Sequence, residues 1–192
     1  NSYSGAGSTW TDMIGNHNGT KNGSPTYADD GLADYFSFDA TTEYFDFSNT
    51  LSTFTTATAK SCCVWIMNGG NNTEARIINT GLSGTGGGGN TGFAIGVTGS
   101  GTANQPFSFF RNTSGSALKQ NFGDVMNTTD WYHLAVTVGS TGKNYQNGVL
   151  KSTISSAGSP SVTTSTSAKI ATFWGNAGDF RFTGKIACVQ FY

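Results

Sequence analysis

Residues 131–155, WYHLAVTVGSTGKNYQNGVLKSTIS, decide the fold, because strand pattern and turn chemistry agree there. Every second side chain from Trp131 to Val138 lies on one face, a period typical of a strand with one buried side. Asn147-Gly148 predicts a type I′ hairpin turn between strands at 143–146 and 149–154, since both central positions of that turn need a positive φ. The positions predicted to face the core are Tyr132, Leu134, Val136 and Val138.

Composition predicts that this pattern extends over an all-β chain. The 192 residues include 14 Phe, 7 Tyr, 4 Trp and 27 Gly, and no window carries a sustained helical stripe of apolar residues. We expect one domain over residues 1–192, long enough to bury a core without a metal or disulfide. Residues 1–30 are predicted to form an irregular N-terminal segment that lays Trp10 on this domain.

Other strand patterns follow at short, regular spacing. Phe36, Phe38, Phe45 and Phe47 are expected to point inward, with residues 39–43 as a polar hairpin loop between their strands. Many strands without crossover helices predict two packed antiparallel sheets. Outside the central hairpins, the predicted strands are 35–38, 44–47, 61–68, 75–80, 93–98, 107–111, 118–122, 169–174 and 181–192.

Charge excludes two classes of partner. Ten Lys and Arg against eleven Asp and Glu give a net charge of −1, and the basic residues are scattered singly. We therefore expect neither nucleic-acid binding nor attraction to an anionic membrane. No apolar run approaches the roughly 20 residues of a membrane-spanning helix, so no membrane insertion is expected. A surface of Thr, Ser, Asn and Gly favours an extracellular, virion-surface or cell-surface location.

The three cysteines, Cys62, Cys63 and Cys188, form an odd set that leaves at least one thiol free unless a partner chain intervenes. Their spacing does not match a zinc site. We expect core or sheet-surface thiols. The alternative is a Cys63–Cys188 disulfide, which requires their two strands to be neighbours.

Five segments, taken in order, resemble the concanavalin A-like lectin/glucanase superfamily and, within it, laminin-G-like jelly-roll domains. They are YFSFD at 35–39, CVWI at 63–66, WYHLAVT at 131–137, YQNGVL at 145–150 and FTGKIACVQFY at 182–192. Residues 8–12 and 15–20 are similar to versions found in phage tail and particle-surface proteins and in bacterial adhesins. The resemblance spans nearly the whole chain and implies an antiparallel β-sandwich of the jelly-roll type. It implies no particular ligand, because this fold hosts lectins, glycosidases, lyases and adhesive modules.

Catalytic acids are not evident. Glycosidases of this superfamily carry closely spaced carboxylates on one strand, because one acid protonates the leaving oxygen while its partner attacks or activates water. The chain has only two Glu residues, Glu43 and Glu74, and each stands alone among polar loop residues. We expect both to be solvated, and we expect the protein not to be an enzyme.

Many relatives bind a calcium ion, but Ala187-Cys188 stand where family members carry an acidic pair. We therefore expect no cofactor, with calcium as the open alternative. The acids best placed near strand ends for such a site are Asp39, Asp46 and Asp179. Their other interpretation is as turn residues that accept backbone hydrogen bonds.

Saccharide recognition needs an aromatic platform beside amide and charged groups. We interpret Trp65 and Trp131 as core or sheet-surface residues and His133 as a sheet-surface residue. Specificity is expected in loops 84–90 and 174–179. The candidate ligand-binding residues are Arg76, Asn79, Arg111, Tyr145, Trp174 and Asn176.

The sequence thus predicts a non-catalytic recognition or adhesion module that binds a glycan or surface polysaccharide on a virus particle or cell surface. Neighbouring structural chains of the particle are the other expected partner. The alternative function is a purely structural capsid or tail decoration protein without a glycan ligand. A glycan-processing enzyme is disfavoured by the missing acid pair.

Overall fold

The structure is a computed structural model. It describes residues 3–15, 17–29, 31, 33–39, 41–47, 51, 54, 57, 59–71, 73–80, 92–99, 103–111, 117–155, 168–172 and 180–192.

The described residues form fifteen β-strands. Their bounds are β1 Thr9–Trp10, β2 Gly19–Asn22, β3 Thr26–Asp29, β4 Asp34–Asp39, β5 Tyr44–Asp46, β6 Lys60–Asn68, β7 Ala75–Thr80, β8 Phe93–Val97, β9 Pro106–Arg111, β10 Ala117–Asn121, β11 Trp131–Val138, β12 Gly142–Gln146, β13 Val149–Ile154, β14 Ala168–Ile170 and β15 Thr183–Phe191.

These strands form two sheets. The eight-stranded sheet has the order β1-β2-β5-β14-β7-β8-β9-β10, and the seven-stranded sheet has the order β13-β12-β11-β6-β15-β4-β3. Every described strand pair is antiparallel. The predicted all-β antiparallel sandwich is confirmed.

The hairpins at 131–154 have the expected geometry. Leu134, Val136 and Val138 are buried, and Tyr132 packs against the core. Asn147 and Gly148 have φ angles of 52° and 78°, which are the two positive values that a type I′ turn requires. The side chain of Asn147 accepts a hydrogen bond from the His133 amide at 2.9 Å, so the turn is fastened to β11.

Aromatic rings hold the two sheets together at one end. Phe36 on β4 and Phe45 on β5 meet edge to face at 4.7 Å between ring centroids. The ring of Trp10 lies 5.2 Å from Phe36 and 5.0 Å from Phe45, so this tryptophan of the N-terminal segment packs against the core. Phe38 and Phe47 are buried as well, and each such ring contributes roughly 1.5–3 kcal/mol through burial.

Residues 39–43 do not form the predicted hairpin loop. β4 pairs with β3 and β15, whereas β5 pairs with β2 and β14 in the other sheet. The physical reason is that both strands carry inward phenylalanines, which can contact each other only across the core. The connection is therefore an arch between sheets, closed by a hydrogen bond from the Asp39 amide to the Glu43 carboxylate at 2.8 Å.

Two further boundaries differ from expectation. The N-terminal segment, predicted to be irregular, contains β1, β2 and β3, and β3 joins the seven-stranded sheet. The strand predicted at 169–174 ends at Ile170, because Ala171 has a φ of 69° and leaves the extended conformation.

Lys60 generates a test of the core. Its side chain is only 6% exposed, with Nζ 5.3 Å from the Phe54 ring centroid. Burial lowers its pKa from 10.5 to about 8, so between these values the unfolded chain holds a proton that the folded chain has released. Stability relative to Lys60→Met should therefore rise with pH in this window, by up to about 1.4 kcal/mol per pH unit.

Urea denaturation of both proteins at pH 7.5, 8.5 and 9.5 measures this difference. Other groups that titrate in both proteins cancel when the variant is subtracted. A constant difference in unfolding free energy across the three pH values would contradict the lowered pKa.

Candidate functional site

The outer face of the seven-stranded sheet is built by alternation on its central strands. Val64 and Ile66 of β6 point into the core, so Trp65 between them points outward. On β11, Trp131 and His133 point outward because Leu134 points inward. The register places His133 opposite Trp65 and Trp131 opposite Met67, which brings side chains of two strands together on one surface.

Four side chains form what we call the aromatic face: Tyr35, Trp65, Trp131 and His133. The rings of Tyr35 and Trp131 lie 5.8 Å apart at their centroids in an edge arrangement, and those of Trp65 and His133 lie 5.1 Å apart. Trp65 is 45% exposed. An aromatic ring of this size open to solvent on a pleated surface is the form of a stacking platform.

An open depression of about 410 Å³ lies on this face. Trp65, Trp131 and His133 line it from the strands, and Asn147 and Gly148 line it from the β12–β13 turn. Gly148 has a positive φ of 78°, which this turn requires and which glycine adopts without strain. The depression thus combines apolar rings with an amide and backbone groups.

Charge on this face is sparse. Partial burial lowers the pKa of His133 below its ordinary 6.5, so its imidazole is neutral at pH 7. Lys185 of β15 places Nζ 4.5 Å from the Tyr35 ring centroid, a cation–π contact. Among the described residues, Lys185 is the cation in contact with a ring of the aromatic face.

One of the six ligand-binding candidates lies on the same sheet face. Tyr145 of β12 stands opposite the outward residue Ala135, and its role in ligand contact stays a prediction. Arg111 ends β9, but its side chain lies outside the described residues, as do Trp174 and Asn176.

Arg76 and Asn79 are not part of this surface. Both belong to β7 in the eight-stranded sheet, where Arg76 is 7% exposed and Asn79 is fully buried. The Arg76 guanidinium lies 4.6 Å from the Phe107 ring centroid and 5.3 Å from that of Phe180, and it pairs with Glu74 at 2.5 Å. Arginine packed between rings and matched to a carboxylate is held as a structural group, so the structure places Arg76 away from the aromatic face.

The two glutamates are not solvated as expected. Glu43 is 9% exposed, burial raises its pKa, and it accepts the Asp39 amide hydrogen bond of the arch. Glu74 is partly buried between Arg76 and Lys119; burial opposes ionisation, but these two cations lower its pKa overall. Each carboxylate serves a structural contact rather than facing an open site.

The acids proposed for calcium are not brought together. Asp39 accepts hydrogen bonds from the Thr41 hydroxyl at 2.6 Å and the Thr41 amide at 2.9 Å, which lower its pKa. Asp46 lies in the other sheet and pairs with Lys169 at 3.6 Å. Asp179 lies outside the described residues. Within the described part of the chain, no three His, Cys, Asp or Glu residues cluster as a metal site.

The possible Cys63–Cys188 disulfide is not formed, and all three thiols are free. Their strands are neighbours, but an irregularity between Ile186 and Cys188 shifts the register, so Cys188 stands opposite Trp65 and Cys63 opposite Gln190. The Cys63 thiol donates to the Gln190 side-chain oxygen at 3.1 Å. Burial raises the pKa of each thiol.

Sequence reasoning placed Trp65, Trp131 and His133 on a core or sheet surface but did not select them as ligand residues. The alternation of inward and outward positions along each strand could have identified them. Trp65 alternates with Val64 and Ile66, and Trp131 alternates with Tyr132, so the informative feature is two large rings on one exposed surface rather than either ring alone.

A family model of the laminin G type, described as the concanavalin A-like lectin/glucanases superfamily, matches residues 39–192. No curated protein sequence matches the chain significantly. No helix among the described residues is long and apolar enough to span a membrane.

Solved structures with low identity share the fold. Domain 4 of the arabinanase AbnA from Geobacillus stearothermophilus, in complex with arabinotriose, has a TM-score of 0.64 and 19% identity, over 88% of this chain and 75% of that one. The CBM40 of the Ruminococcus gnavus IT-sialidase, bound to alpha2,3 sialyllactose, has a TM-score of 0.62 and 15% identity, over 74% and 80%.

A Trypanosoma rangeli sialidase in complex with the inhibitor DANA has a TM-score of 0.67 and 11% identity, over 98% of this chain. The chain spans only 29% of the length of that sialidase.

The free thiols are open to a chemical test. In native protein at pH 7.5, iodoacetamide should leave Cys62 unlabelled, because it is 1% exposed. Cys63 and Cys188 should label slowly, because their raised pKa values keep them as thiols. After denaturation without reductant, mass spectrometry should find all three labelled. A linked pair of Cys63 and Cys188 peptides would contradict the structure.

Proposed function

Because the chain belongs to the concanavalin A-like lectin/glucanases superfamily, we propose that it is a non-catalytic glycan-binding module and that the aromatic face binds the saccharide. The observation that carries this proposal is the outward pair Trp65 and Trp131 beside the depression on the seven-stranded sheet. The family match confirms the resemblance recognised in the sequence.

The chemistry of the face suits a sugar. A pyranose ring presents an apolar face of C–H groups, which stacks on an indole, and hydroxyls at its rim, which need planar donors and acceptors. Trp65 and Trp131 supply the indoles. The neutral His133 imidazole and the backbone of the Asn147-Gly148 turn supply polar groups beside them.

The structural neighbours support the same class of ligand. The Ruminococcus CBM40 and the Geobacillus arabinanase domain are each seen with a saccharide, sialyllactose in one and arabinotriose in the other. At 15% and 19% identity these likenesses establish a shared fold, and the glycan is our inference for this chain.

A binding role without hydrolysis fits the engagement of the glutamates. Glu43 closes the arch, and Glu74 neutralises Arg76 and Lys119. We further propose display on a virus particle or cell surface, in line with the surface rich in Thr, Ser, Asn and Gly.

One observation favours the second candidate function, a structural particle protein that contacts neighbouring chains. Met13 and Ile14 are 74% and 99% exposed. Hydrogen bonds hold their loop in place: the Asp12 carboxylate accepts one from the Ile14 amide at 3.0 Å and one from the His17 amide at 3.3 Å. A braced loop with two exposed apolar side chains suits contact with another protein.

A glycan array followed by calorimetry on the best ligand tests the proposed function. Trp65→Ala and Trp131→Ala should each weaken binding about tenfold or more, because each removes a stacking surface. Addition of a chelator should leave binding unchanged.

Tyr44→Ala is the matched control. Tyr44 is a half-buried tyrosine on the eight-stranded sheet, and like Tyr35 it carries a lysine against its ring, with Lys169 Nζ at 4.7 Å. Binding should survive this change. A silent array, or an affinity in both tryptophan variants equal to that of the wild-type protein, would refute glycan binding at the aromatic face.

A further inference from the structure

We propose that the aromatic face selects an acidic saccharide, whose anionic group pairs with the ammonium of Lys185. This inference rests on the proposed function and deepens it, because it names the class of glycan. It stands on the position of Lys185 in the sheet, on the contacts of its ammonium, and on the charges that surround it.

Lys185 belongs to the same row of side chains as Trp131. It stands opposite Met67 on β6, and Met67 stands opposite Trp131 on β11. Two interstrand steps of about 4.8 Å separate the Cα atoms of Lys185 and Trp131 by roughly 10 Å. Tyr35 bridges this distance above the sheet, since its ring contacts both the Trp131 ring and Lys185 Nζ. A saccharide of two or three units that stacks on Trp131 therefore reaches the ammonium.

A second lysine–tyrosine pair shows what Lys185 lacks. On the eight-stranded sheet, Lys169 Nζ lies 4.7 Å from the Tyr44 ring centroid and 3.6 Å from the Asp46 carboxylate. The pair on the aromatic face has the same cation–π contact at 4.5 Å. Among the described residues, however, no ion pair includes Lys185. The position that a carboxylate fills beside Lys169 is open to a ligand beside Lys185.

No carboxylate among the described residues pairs with this ammonium. Lys185 is the one lysine or arginine on the outer face of the four strands β11, β6, β15 and β4, among the residues that the structure describes. His133 is neutral at pH 7. Asp39, at the end of β4, keeps its negative charge, but it accepts two hydrogen bonds from Thr41 and forms no ion pair with Lys185. The face therefore offers a single positive charge next to stacking rings.

A single positive charge contributes more to the preference for an acidic over a neutral saccharide than to the overall binding affinity. An ammonium forms a stronger hydrogen bond with a carboxylate than with a neutral hydroxyl, and a neighbouring aromatic ring lowers the local dielectric constant. A neutral saccharide of the same shape keeps the stacking but loses this bond. The expected preference for the acidic form is about tenfold.

The experiment uses ligand pairs that differ in charge. A galacturonic acid trimer is compared with its methyl ester, and 3′-sialyllactose is compared with the methyl ester of its sialic acid carboxyl group, by calorimetry at low salt. The two pairs distinguish a uronic acid from a sialic acid as the source of the carboxylate. The wild-type protein should prefer the acidic member of at least one pair about tenfold, and Lys185→Gln should abolish that preference.

Lys143→Gln is the charge-matched control. Lys143 projects from the same sheet at β12, opposite Thr137 and apart from the Tyr35–Trp131 contact. The Lys143→Gln variant should keep the preference for the acidic saccharide. The Lys185→Arg variant should also keep this preference, because the positive charge is retained. Thermal unfolding of Lys185→Gln checks that the sheet is intact. If Lys185→Gln is unstable, the comparison of wild-type protein with Lys185→Arg still tests whether the positive charge sets the preference.

The outcomes separate the two proposals. Equal binding of acid and neutral forms, a preference that survives in Lys185→Gln, or one that Lys143→Gln also abolishes overturns the assignment of Lys185. Failure to bind all four saccharides while the array finds a neutral ligand that requires Trp131 overturns the acidic class and leaves glycan binding in place. A silent array removes both.

Discussion

The alternation of β6 is the constraint on which the rest of the structure depends. This nine-residue strand is the fourth of seven in its sheet, and its inward residues Val64 and Ile66 are completely buried. A shift of one residue would turn Trp65 into the core and Val64 into solvent, so the register is strongly specified. Burial on one side therefore dictates which side chains appear on the other. The aromatic face is the solvent-side consequence of a core requirement.

The two sheets use their outer faces differently. In the eight-stranded sheet, Arg76 is enclosed between Phe107 and Phe180 and is neutralised by Glu74, so the polar group contributes to packing. In the seven-stranded sheet, Trp65 is open beside the depression. An arginine is a natural ligand group by residue type, but burial and a matched carboxylate remove it from contact with solvent. Accessibility, rather than chemistry alone, separates a structural group from a binding group.

The sequence predicted strands and inward faces well, because both follow from local periodicity. The alternation at Leu134 and Val136 and the Asn147-Gly148 turn needed no knowledge of distant residues. The prediction from sequence failed where contacts with distant residues decide the structure. The arch at 39–43 depends on which sheet each strand joins, and the burial of Arg76 depends on Phe180, which is more than one hundred residues away. The irregularity near Cys188 is also invisible in the pattern, yet it determines which residue that thiol faces.

A site carried on strands differs physically from the loop site expected at 84–90 and 174–179, both of which lie outside the described residues. Trp65 and His133 are positioned by a continuous ladder between β6 and β11, and Asn147 ties the turn to the same ladder through the His133 amide at 2.9 Å. Rings held this way lose little further conformational entropy when a ligand stacks on them. Affinity can then come from modest contacts, and in our proposal the discrimination between ligands falls to Lys185, the lysine that contacts the Tyr35 ring and is in no ion pair with a described residue.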